Sequence, residues 1–262
     1  KSIICFQQRY RGLNSMNLNE LRLFLWELIQ NSEFADKSYF AGGCVRDFIL
    51  NPYATIKSDV DICVELPEGG IALAQYLQNR LQPSELVIHK SFGTASLHYK
   101  NLQLEFVATR KEQYFAGNRY PKVEFGTLTD DVLRRDFTIN ALLMFIATGE
   151  ILDLCEKGIS DLQQGIIRTV KDPNLSFTED PLRMLRALQF ALRFDFTIED
   201  KTFKAMQINA PALKILSHRA INDELKKIPQ SKKHEADALM DTLNWKPYLP
   251  GEERKKGKLG SL

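Results

Sequence analysis

Apolar and polar positions along this chain follow two periods, one typical of amphipathic helices and one typical of half-buried strands. Over 17–30, leucines and aromatic residues recur every three or four positions, which predicts a helix capped by Asn17 or Asn19. Alternation over 58–64 predicts a strand with one buried face. The same reasoning predicts further strands at 38–41, 85–89, 94–99 and 102–108, and helices at 45–50, 71–81 and 136–146.

The pattern changes near residue 150. Residues 150–154 and 166–170 are predicted to form a short hairpin, and Pro181 then opens a helix that continues through Phe194. Helical periodicity continues at 200–208, 211–216 and 220–228. The chain is therefore predicted to have an α+β fold, in which a region with a mixed sheet and helices precedes an all-helical region. The predicted domains are an N-terminal segment with a helix at 1–36, the mixed region at 37–149, the helical region at 150–230 and the start of a truncated or short C-terminal domain at 231–262.

Composition changes this picture little. The 35 Lys and Arg residues nearly balance the 33 Asp and Glu residues, so the net charge of +2 neither requires nor excludes a nucleic-acid partner. The four cysteines are far apart and have no histidine-rich neighbours, which argues against a zinc site or a disulfide framework and favours the reducing cytoplasm. The longest apolar runs, such as 141–147, are too short to span a membrane, so no membrane partner is expected.

Three acids on predicted strands are candidates for a metal site. Asp59 and Asp61 are two residues apart, so both carboxylates project from the face opposite the apolar side chains of the 58–64 strand. Neighbouring carboxylates repel each other unless a cation lies between them, and Mg²⁺ prefers such oxygen ligands, as in two-metal phosphoryl transfer. Glu105 faces away from its apolar neighbours and would complete a three-carboxylate site if the two strands are adjacent. The alternative for all three is an exposed acid on an amphipathic strand.

A glycine pair lies between a predicted strand and a predicted helix. Gly42 and Gly43 would let the backbone approach a phosphate closely, and the following helix N-terminus offers N–H groups and a positive dipole end. Arg46 would lie one turn into that helix, within reach of a triphosphate. An ordinary strand-to-helix turn is the alternative.

A third cluster combines an arginine with an acid and an amide. Asp136 and Asn140 are four residues apart and would face together on the predicted 136–146 helix, where they could hold a ribose hydroxyl. Arg135 would point at phosphate. The alternative is a helix N-terminus whose acids interact favourably with the dipole.

A fourth cluster lies at the start of the long helix. Asp180 followed by Pro181 has the pattern of an N-cap and a first-turn proline. Arg183 and Arg186 follow at three-residue spacing, so that the acid and both arginines line one flank. An Asp acceptor beside an Arg donor can recognise the hydrogen-bonding edge of a base, and capping does not prevent this because a carboxylate has lone pairs for both.

The order of these motifs resembles one protein family. Gly-Gly-Cys-Val-Arg-Asp, Asp-x-Asp, Arg-Arg-Asp-Phe-Thr-Ile-Asn-Ala and Glu-Asp-Pro-Leu-Arg-Met-Leu-Arg-Ala follow one another as in class II CCA-adding tRNA nucleotidyltransferases and bacterial poly(A) polymerases. The resemblance implies a nucleotidyltransferase (polymerase beta-like) head followed by a helical neck. It also implies template-independent addition of CMP, AMP or both to the 3′ end of tRNA, with CTP and ATP as substrates and Mg²⁺ as cofactor.

The resemblance also implies roles for individual residues. Asp59 and Asp61 would bind the catalytic Mg²⁺, and Glu105 would be the third catalytic acid. Asp180 and Arg183 would select C or A. The full set of predicted nucleotide-binding residues is Gly42, Gly43, Arg46, Arg135, Asp136, Asn140, Asp180, Arg183 and Arg186. One position departs from the family, because Gln189 stands where another arginine is usual.

Two alternatives to CCA addition stay open. The poly(A) polymerase branch usually carries a basic pair before its Phe-x-Leu-x-His-Val motif, and the corresponding segment here, 90–97, lacks that pair, which favours CCA addition. The second alternative is an inactive scaffold that binds RNA without transferring nucleotides. The presence of Asp59, Asp61 and Arg183 argues against it.

Overall fold

The computed structural model of this chain describes residues 16–57, 59–81, 85–90, 93–115 and 118–249. Three predictions fall partly outside these ranges: the first residue of the 58–64 strand, residues 91 and 92 of the 90–97 segment, and the outer ends of the two terminal regions at 1–15 and 250–262. The described residues divide into two compact units. The first comprises the described parts of Lys1–Glu112, Val123–Arg134 and Asn140–Glu156, and the second those of Gln113–Lys122, Arg135–Ile139 and Lys157–Leu262.

Strands and helices are numbered in chain order. The strands are β1 (Ser38–Ala41), β2 (Val60–Val64), β3 (Glu85–His89), β4 (Thr94–Tyr99), β5 (Leu102–Ala108), β6 (Arg110–Phe115), β7 (Asn118–Phe125), β8 (Leu143–Phe145), β9 (Ile151–Leu152), β10 (Ile166–Ile167) and β11 (Thr197–Ile198). The helices are α1 (Leu18–Ile29), α2 (Gly43–Leu50), α3 (Gly69–Leu81), α4 (Leu128–Leu133), α5 (Gly158–Gln164), α6 (Pro173–Glu179), α7 (Leu182–Phe194), α8 (Asp200–Ile208), α9 (His218–Leu225) and α10 (Lys233–Thr242).

A seven-stranded mixed sheet organises the first unit. Its strand order is β3-β4-β5-β2-β1-β8-β9. The β2–β5 pair is parallel, whereas the other neighbours in this sheet are antiparallel. Between β2 and β5 the chain passes through α3 and then through β3 and β4, which is long enough to return β5 in the direction of β2. The parallel pair lies in the middle of the sheet and carries Asp61 and Glu105, and Asp59 lies one residue before β2.

Caps and glycines determine where the helices of the first unit begin and how closely they pack. Asn17 closes a capping box at the start of α1: its side chain accepts from the Glu20 N–H at 3.0 Å, and the Glu20 carboxylate accepts from the Asn17 N–H at 2.9 Å. The predicted helix is therefore confirmed. In α3, a Cβ atom at Gly70 would lie 2.7 Å from the Val107 backbone. Glycine thus allows α3 to pack directly against β5.

The second unit is mostly helical. It also contains a two-stranded parallel sheet of β10 and β11, within the region that was predicted to be all-helical. The indole N–H of Trp245 donates to the carbonyl of Met206 at 3.3 Å, which fixes the segment after α10 against α8. Side chains that are fully buried here include Phe137, Phe177, Leu185, Leu188, Met206 and Trp245.

Two predicted elements are wrong. The 136–146 segment is not an α-helix: Thr138–Asn140 form one 3₁₀ turn, and Leu143–Phe145 form β8, which pairs with β1 and β9. Residues 141–146 are apolar on every side and mostly buried, so their sequence does not distinguish a central strand from a buried helix. The predicted hairpin also fails, because β9 pairs with β8 while β10 pairs with β11, and α5 separates them. The segment predicted to be helical at 211–216 forms a 3₁₀ helix at Ala210–Ile215.

Over the described part of the chain, no helix has the length and apolar character required to cross a membrane.

Candidate active site

The predicted acids lie where three neighbouring strands meet. Asp61 is in register with Glu105 across the parallel β2–β5 pair. On its other side, Asp61 is in register with Ala41 of β1, directly before the Gly42 turn. Residues opposite each other on neighbouring strands project from the same face of a sheet, so the carboxylates of Asp61 and Glu105 share one face. The adjacency of strands on which the assignment of Glu105 depended is therefore present.

Asp59 lies one residue before β2 and is exposed, as Asp61 is. It lines a cavity of about 320 Å³ together with His98 and Gln103. His98 and Gln103 are in register across the β4–β5 pair. Because Gln103 is two residues from Glu105 on the same strand, this cavity opens on the face that carries Glu105. Asp59 therefore borders the same face of the sheet as the other two acids.

The carboxylate of Glu105 is held by a neighbour. The Gln103 side-chain amide donates to Glu105 Oε1 at 2.6 Å, and Gln103 Oε1 lies 2.8 Å from His98 Nε2. Within the described ranges, no group of three or more His, Cys, Asp or Glu side chains is arranged to hold a metal ion. The role of Glu105 as a third catalytic acid thus stays a prediction.

The donor set of this face suits a hard divalent cation. Mg²⁺ is usually held in proteins by one or two carboxylates, and its remaining positions are taken by water and substrate phosphates. Asp59 and Asp61 supply two exposed carboxylates at the end of a buried strand. These two residues therefore fit such an ion without a third protein ligand.

The glycine pair forms the turn from β1 into α2. Gly42 has φ 73° and ψ −128°, a conformation that residues with a Cβ atom avoid. Its N–H donates to the carbonyl of Leu142 at 3.0 Å, which fixes the turn to the strand neighbouring β1. The N-cap residue Gly42 makes no side-chain hydrogen bond to the first turn of α2, and a helix N-terminus of this kind is suited to bind an anion.

Arg46 is buried one turn into α2 and is fixed in place by two neighbours. Its Nε and Nη2 atoms lie 2.8 and 2.7 Å from Asp47 Oδ1, and its Nη1 donates to Asn140 Oδ1 at 2.6 Å. Only 4% of Arg46 is exposed, so these contacts compensate for much of the lost hydration. Asn140 was predicted to face Asp136 on a helix, but the structure brings it to Arg46 instead.

Asp136 is bound to the fourth cluster. Its Oδ2 accepts from Arg186 Nε at 2.6 Å, and its Oδ1 accepts from the Phe137 N–H at 2.8 Å. The Asp136 carboxylate raises the pKa of Arg186 above its ordinary value, and the more distant Glu224 adds to this effect. Arg186 therefore carries its charge at every physiological pH, and it is a fixed cation in the second unit.

Asp180 and Arg183 have structural partners of their own. Pro181, not Asp180 as predicted, is the N-cap residue of α7, and the Asp180 carboxylate accepts from the N–H of the first helical residue, Leu182, at 3.1 Å. Arg183 is 5% exposed; its Nη1 donates to Ser176 Oγ at 3.0 Å and lies 3.4 Å from Glu179 Oε2. A carboxylate has lone pairs for more than one donor, so the bond to the first turn of α7 does not exclude a contact with a base. Arg135 is half-buried between α4 and the 3₁₀ turn.

Gln189, the position that departs from the family, lies inside α7 and is 1% exposed. Its side-chain amide nitrogen has no hydrogen-bond partner among the described residues, and the same holds for Glu224 Oε2 on α9. The other oxygen of Glu224 accepts from Lys227 at 2.7 Å. A buried polar atom without a partner costs about 1–3 kcal/mol, so Gln189 lowers the stability of its own helix packing.

Sequence reasoning missed the residues that hold the predicted ones. Gln103 was within reach, because the alternation that singled out Glu105 places Gln103 on the same strand face. Predicting the contact of His98 with Gln103 would have required the register of β4 against β5, which is set by the two-residue turn at 100–101. Asp47 is part of the Gly-Gly-Cys-Val-Arg-Asp motif, but nothing in the spacing indicates that it contacts Arg46.

Comparison with known proteins places this geometry in context. Residues 38–168, half of the chain, match the family described as Poly A polymerase head domain. A CCA-adding enzyme of Limosilactobacillus reuteri is 35% identical over 238 residues, which cover 86% of this chain and 54% of that protein. An A-adding tRNA nucleotidyltransferase of Aquifex aeolicus is 37% identical over 197 residues, which cover 72% of this chain and 23% of that protein.

The fold is similar to that of a solved relative. The Thermotoga maritima CCA-adding enzyme complexed with tRNA aligns with a TM-score of 0.71 at 32% identity, covering 87% of this chain and 51% of that one. This similarity confirms the predicted fold class. The chain spans about half, or less, of the length of these relatives. Nucleotidyltransferases with this head domain generally use a divalent metal ion.

Proposed function

The chain belongs to the family of the Poly A polymerase head domain, and on that premise we propose that it adds CMP, AMP or both to the 3′ end of tRNA without a template. One observation carries the proposal: Asp61 lies in register with Glu105 on one side and with the residue before the Gly42 turn on the other. The carboxylates proposed to hold a metal ion and the helix N-terminus proposed to bind a triphosphate therefore lie at the same end of the neighbouring strands β1 and β2. The relatives named as CCA-adding and A-adding enzymes support the choice of tRNA.

The proposed reaction is nucleotidyl transfer. The 3′-hydroxyl oxygen of the RNA bonds to the α-phosphorus of the nucleotide, the bond from that phosphorus to the oxygen bridging to the β-phosphate breaks, and pyrophosphate leaves. The hydroxyl proton passes to solvent. Mg²⁺, held by Asp59 and Asp61, would supply a Lewis acid that lowers the cost of charge on the attacking and leaving oxygens.

The residues of the chain bind and orient the nucleotide. Backbone N–H groups after Gly42 and Gly43 receive the triphosphate, and the fixed guanidinium of Arg46 adds positive charge at the same helix. In the second unit, Asp180 and Arg183 recognise the base edge, while Arg186, held by Asp136, supports that pair. Arg135 contributes a further cation toward phosphate.

We further propose that residues 37–149 act as the catalytic head and residues 150–230 as the neck that selects the nucleotide. The proposed compartment is the cytoplasm. Its support is the cysteine usage: the four cysteines are far apart in the sequence and have no histidine-rich neighbours, a pattern typical of the reducing cytoplasm.

One assay tests the activity. The protein is incubated with Mg²⁺ and tRNAs that end before, within or after CCA, each with CTP or ATP alone, and the products are sequenced. Addition that stops at CCA, or at one of its steps, is expected, and addition should cease when EDTA removes the divalent ion. Long oligo(A) tails would instead assign the poly(A) polymerase reaction. RNA binding without incorporation by any tRNA would refute transfer and support the inactive scaffold.

A further inference from the structure

The cavity beside Asp59 has a basic and polar lining. Its volume is about 320 Å³, near the lower limit of roughly 300 Å³ for cavities that hold small ligands. Apart from Asp59, its wall is formed by two lysines, a histidine, two amide side chains and two apolar residues: Lys57, Lys100, His98, Asn101, Gln103, Ile56 and Leu102. Two lysines against one carboxylate give the cavity a positive balance, which favours an anionic ligand.

Its position relative to the acids separates it from the triphosphate site. Across the sheet, the order is β1 with the Gly42 turn, β2 with Asp61, β5 with Glu105 and Gln103, and then β4 with His98. The N–H groups that suit a triphosphate are on the β1 side of Asp61. The cavity is on the β5–β4 side. In a displacement at phosphorus the attacking and leaving oxygens lie on opposite sides, so the reactant that attacks approaches from the side away from the pyrophosphate.

The turn between β4 and β5 brings a charge to the rim of this cavity. Tyr99 and Leu102 pair directly, which leaves Lys100 and Asn101 as a two-residue connection. Lys100 has φ 54°, a left-handed conformation that favours glycine or asparagine over lysine. Lys57 reaches the cavity from the segment before β2, so the two lysines approach from different parts of the chain.

We infer that this cavity binds the sugar-phosphate backbone of the RNA strand whose 3′ end is extended, with Lys57 and Lys100 contacting its terminal phosphodiester. This inference rests on the proposed transfer reaction and names the binding site of its second substrate. The ligand chemistry is a phosphodiester attached to a ribose. The amide groups of Asn101 and Gln103 suit ribose hydroxyls, because each offers both a donor and an acceptor.

Lysine substitutions test the inference. The variants are Lys57→Ala, Lys100→Asn, which keeps a residue that tolerates the left-handed turn, and the double variant; Lys90→Ala, an exposed lysine outside the cavity, is the control. KM for a tRNA lacking its terminal A, KM for ATP and kcat are measured over a series of salt concentrations. Melting temperatures establish that all variants are folded.

The expected result is a rise in KM for tRNA of about three- to tenfold per lysine, with KM for ATP and kcat unchanged. The slope of log affinity against log salt should fall by about 0.7 for each lysine removed, the value for single strands. An unchanged KM for tRNA, an equal effect of the Lys90 control, or a rise in KM for ATP alone would overturn the inference.

Failure of the proposed transfer reaction and failure of the proposed RNA site can be told apart. If the unmodified protein transfers no nucleotide, the proposed function fails. Anisotropy with a fluorescein-labelled single-stranded RNA then measures binding in the same variants without turnover. Weaker binding and a lower salt slope in the Lys57 and Lys100 variants would support the RNA site; equal binding by all proteins would reject it.

Discussion

Asp61 on β2 and Glu105 on β5 lie side by side in the parallel register of the central strand pair. Two carboxylates at paired positions on one face repel each other when both are ionised. The Gln103 amide donates to one oxygen of Glu105 at 2.6 Å and so turns that oxygen toward β5. A cation bound by Asp59 and Asp61 would relieve the remaining repulsion between Asp61 and Glu105. The pairing of β2 with β5 is thus linked to the metal chemistry proposed for this face of the sheet.

Replacing Asp61 with asparagine should abolish most of the nucleotide incorporation while the protein stays folded. The substitution keeps the shape of an exposed side chain but removes one of the two charged ligands proposed for Mg²⁺. A metal ion contributes several kcal/mol to stabilisation of the transition state, so a loss of at least about 100-fold in kcat is expected. The measurements are kcat with saturating tRNA and ATP, and the melting temperature.

Asp59→Asn should behave in the same way, and Glu27→Gln, a neutralised exposed acid on α1, serves as the control. Normal incorporation by either aspartate variant would refute the metal assignment. Glu105→Gln is the informative third variant. A loss of kcat as large as that of Asp61→Asn would place Glu105 among the metal ligands. A loss of kcat below about tenfold would show that Glu105 is a hydrogen-bond partner of Gln103 and not a metal ligand.

The pattern of apolar residues was sufficient to predict β2 and its two faces, but not its neighbours. Alternation acts within a strand, so the exposed face of Asp61 could be predicted from the residues on either side. Pairing of β2 with β5 depends on contacts between residues about 40 positions apart in the sequence. Local periodicity carries no information about such contacts. The failed 136–146 helix has the same cause, since β8 is recognised as a strand by its partners β1 and β9.

The two glycines of the turn should respond in opposite ways to alanine. Gly42→Ala would place a Cβ atom on a backbone with φ 73° and ψ −128°, at a cost of about 1–3 kcal/mol in the free energy of unfolding. At Gly43 a Cβ atom would meet Arg46 Nη2 at 3.5 Å, an ordinary contact, and alanine is the better helix former by about 0.5–1 kcal/mol. Gly43→Ala should therefore keep or raise the melting temperature.

Activity then separates the functional role of the turn from its structural role. If the N–H groups after Gly42 bind the triphosphate, a methyl group at Gly43 should raise KM for ATP and CTP even though the fold is as stable as before. Each variant is compared by urea unfolding and by steady-state kinetics. An unaltered KM for both nucleotides in the Gly43→Ala protein would show that the glycine pair is an ordinary turn that does not bind the triphosphate.

Arg183→Ala should blur the choice between CTP and ATP more than it slows transfer of the preferred nucleotide. The guanidinium is buried and donates to Ser176 Oγ, so its loss should also lower the free energy of unfolding by about 1–3 kcal/mol. Ser176→Ala is the matched control, because it removes the same hydrogen bond and retains the arginine. The ratio of kcat/KM for CTP to that for ATP is measured in both proteins.

Only the arginine variant should change that ratio. Unchanged selectivity in Arg183→Ala would assign Asp180 and Arg183 to helix capping and packing alone. A shift in both variants would show that the position of Arg183, set by Ser176, matters as much as its charge.

The candidate site could be predicted residue by residue more easily than contact by contact. Four-residue spacing predicted that Asp136 and Asn140 act together, but one binds Arg186 and the other binds Arg46. The spacing argument holds only on an α-helix, whereas Asn140 is the last residue of a single 3₁₀ turn and Asp136 precedes that turn. The motifs thus identified the chemical groups, while their partners were fixed by the path of the backbone.

Gln189→Met should stabilise the protein. The amide nitrogen of Gln189 is buried on α7 without a hydrogen-bond partner among the described residues, and methionine has a similar length without a polar donor. Removing the unmet donor should raise the free energy of unfolding by about 1 kcal/mol. Gln163→Met on the exposed side of α5 is the control and should change it by less than about 0.5 kcal/mol. Urea unfolding is measured with and without ATP. A clear destabilisation by Gln189→Met would show that the amide is engaged by an ordered water, and a loss confined to the ATP-bound protein would show that it contacts the nucleotide.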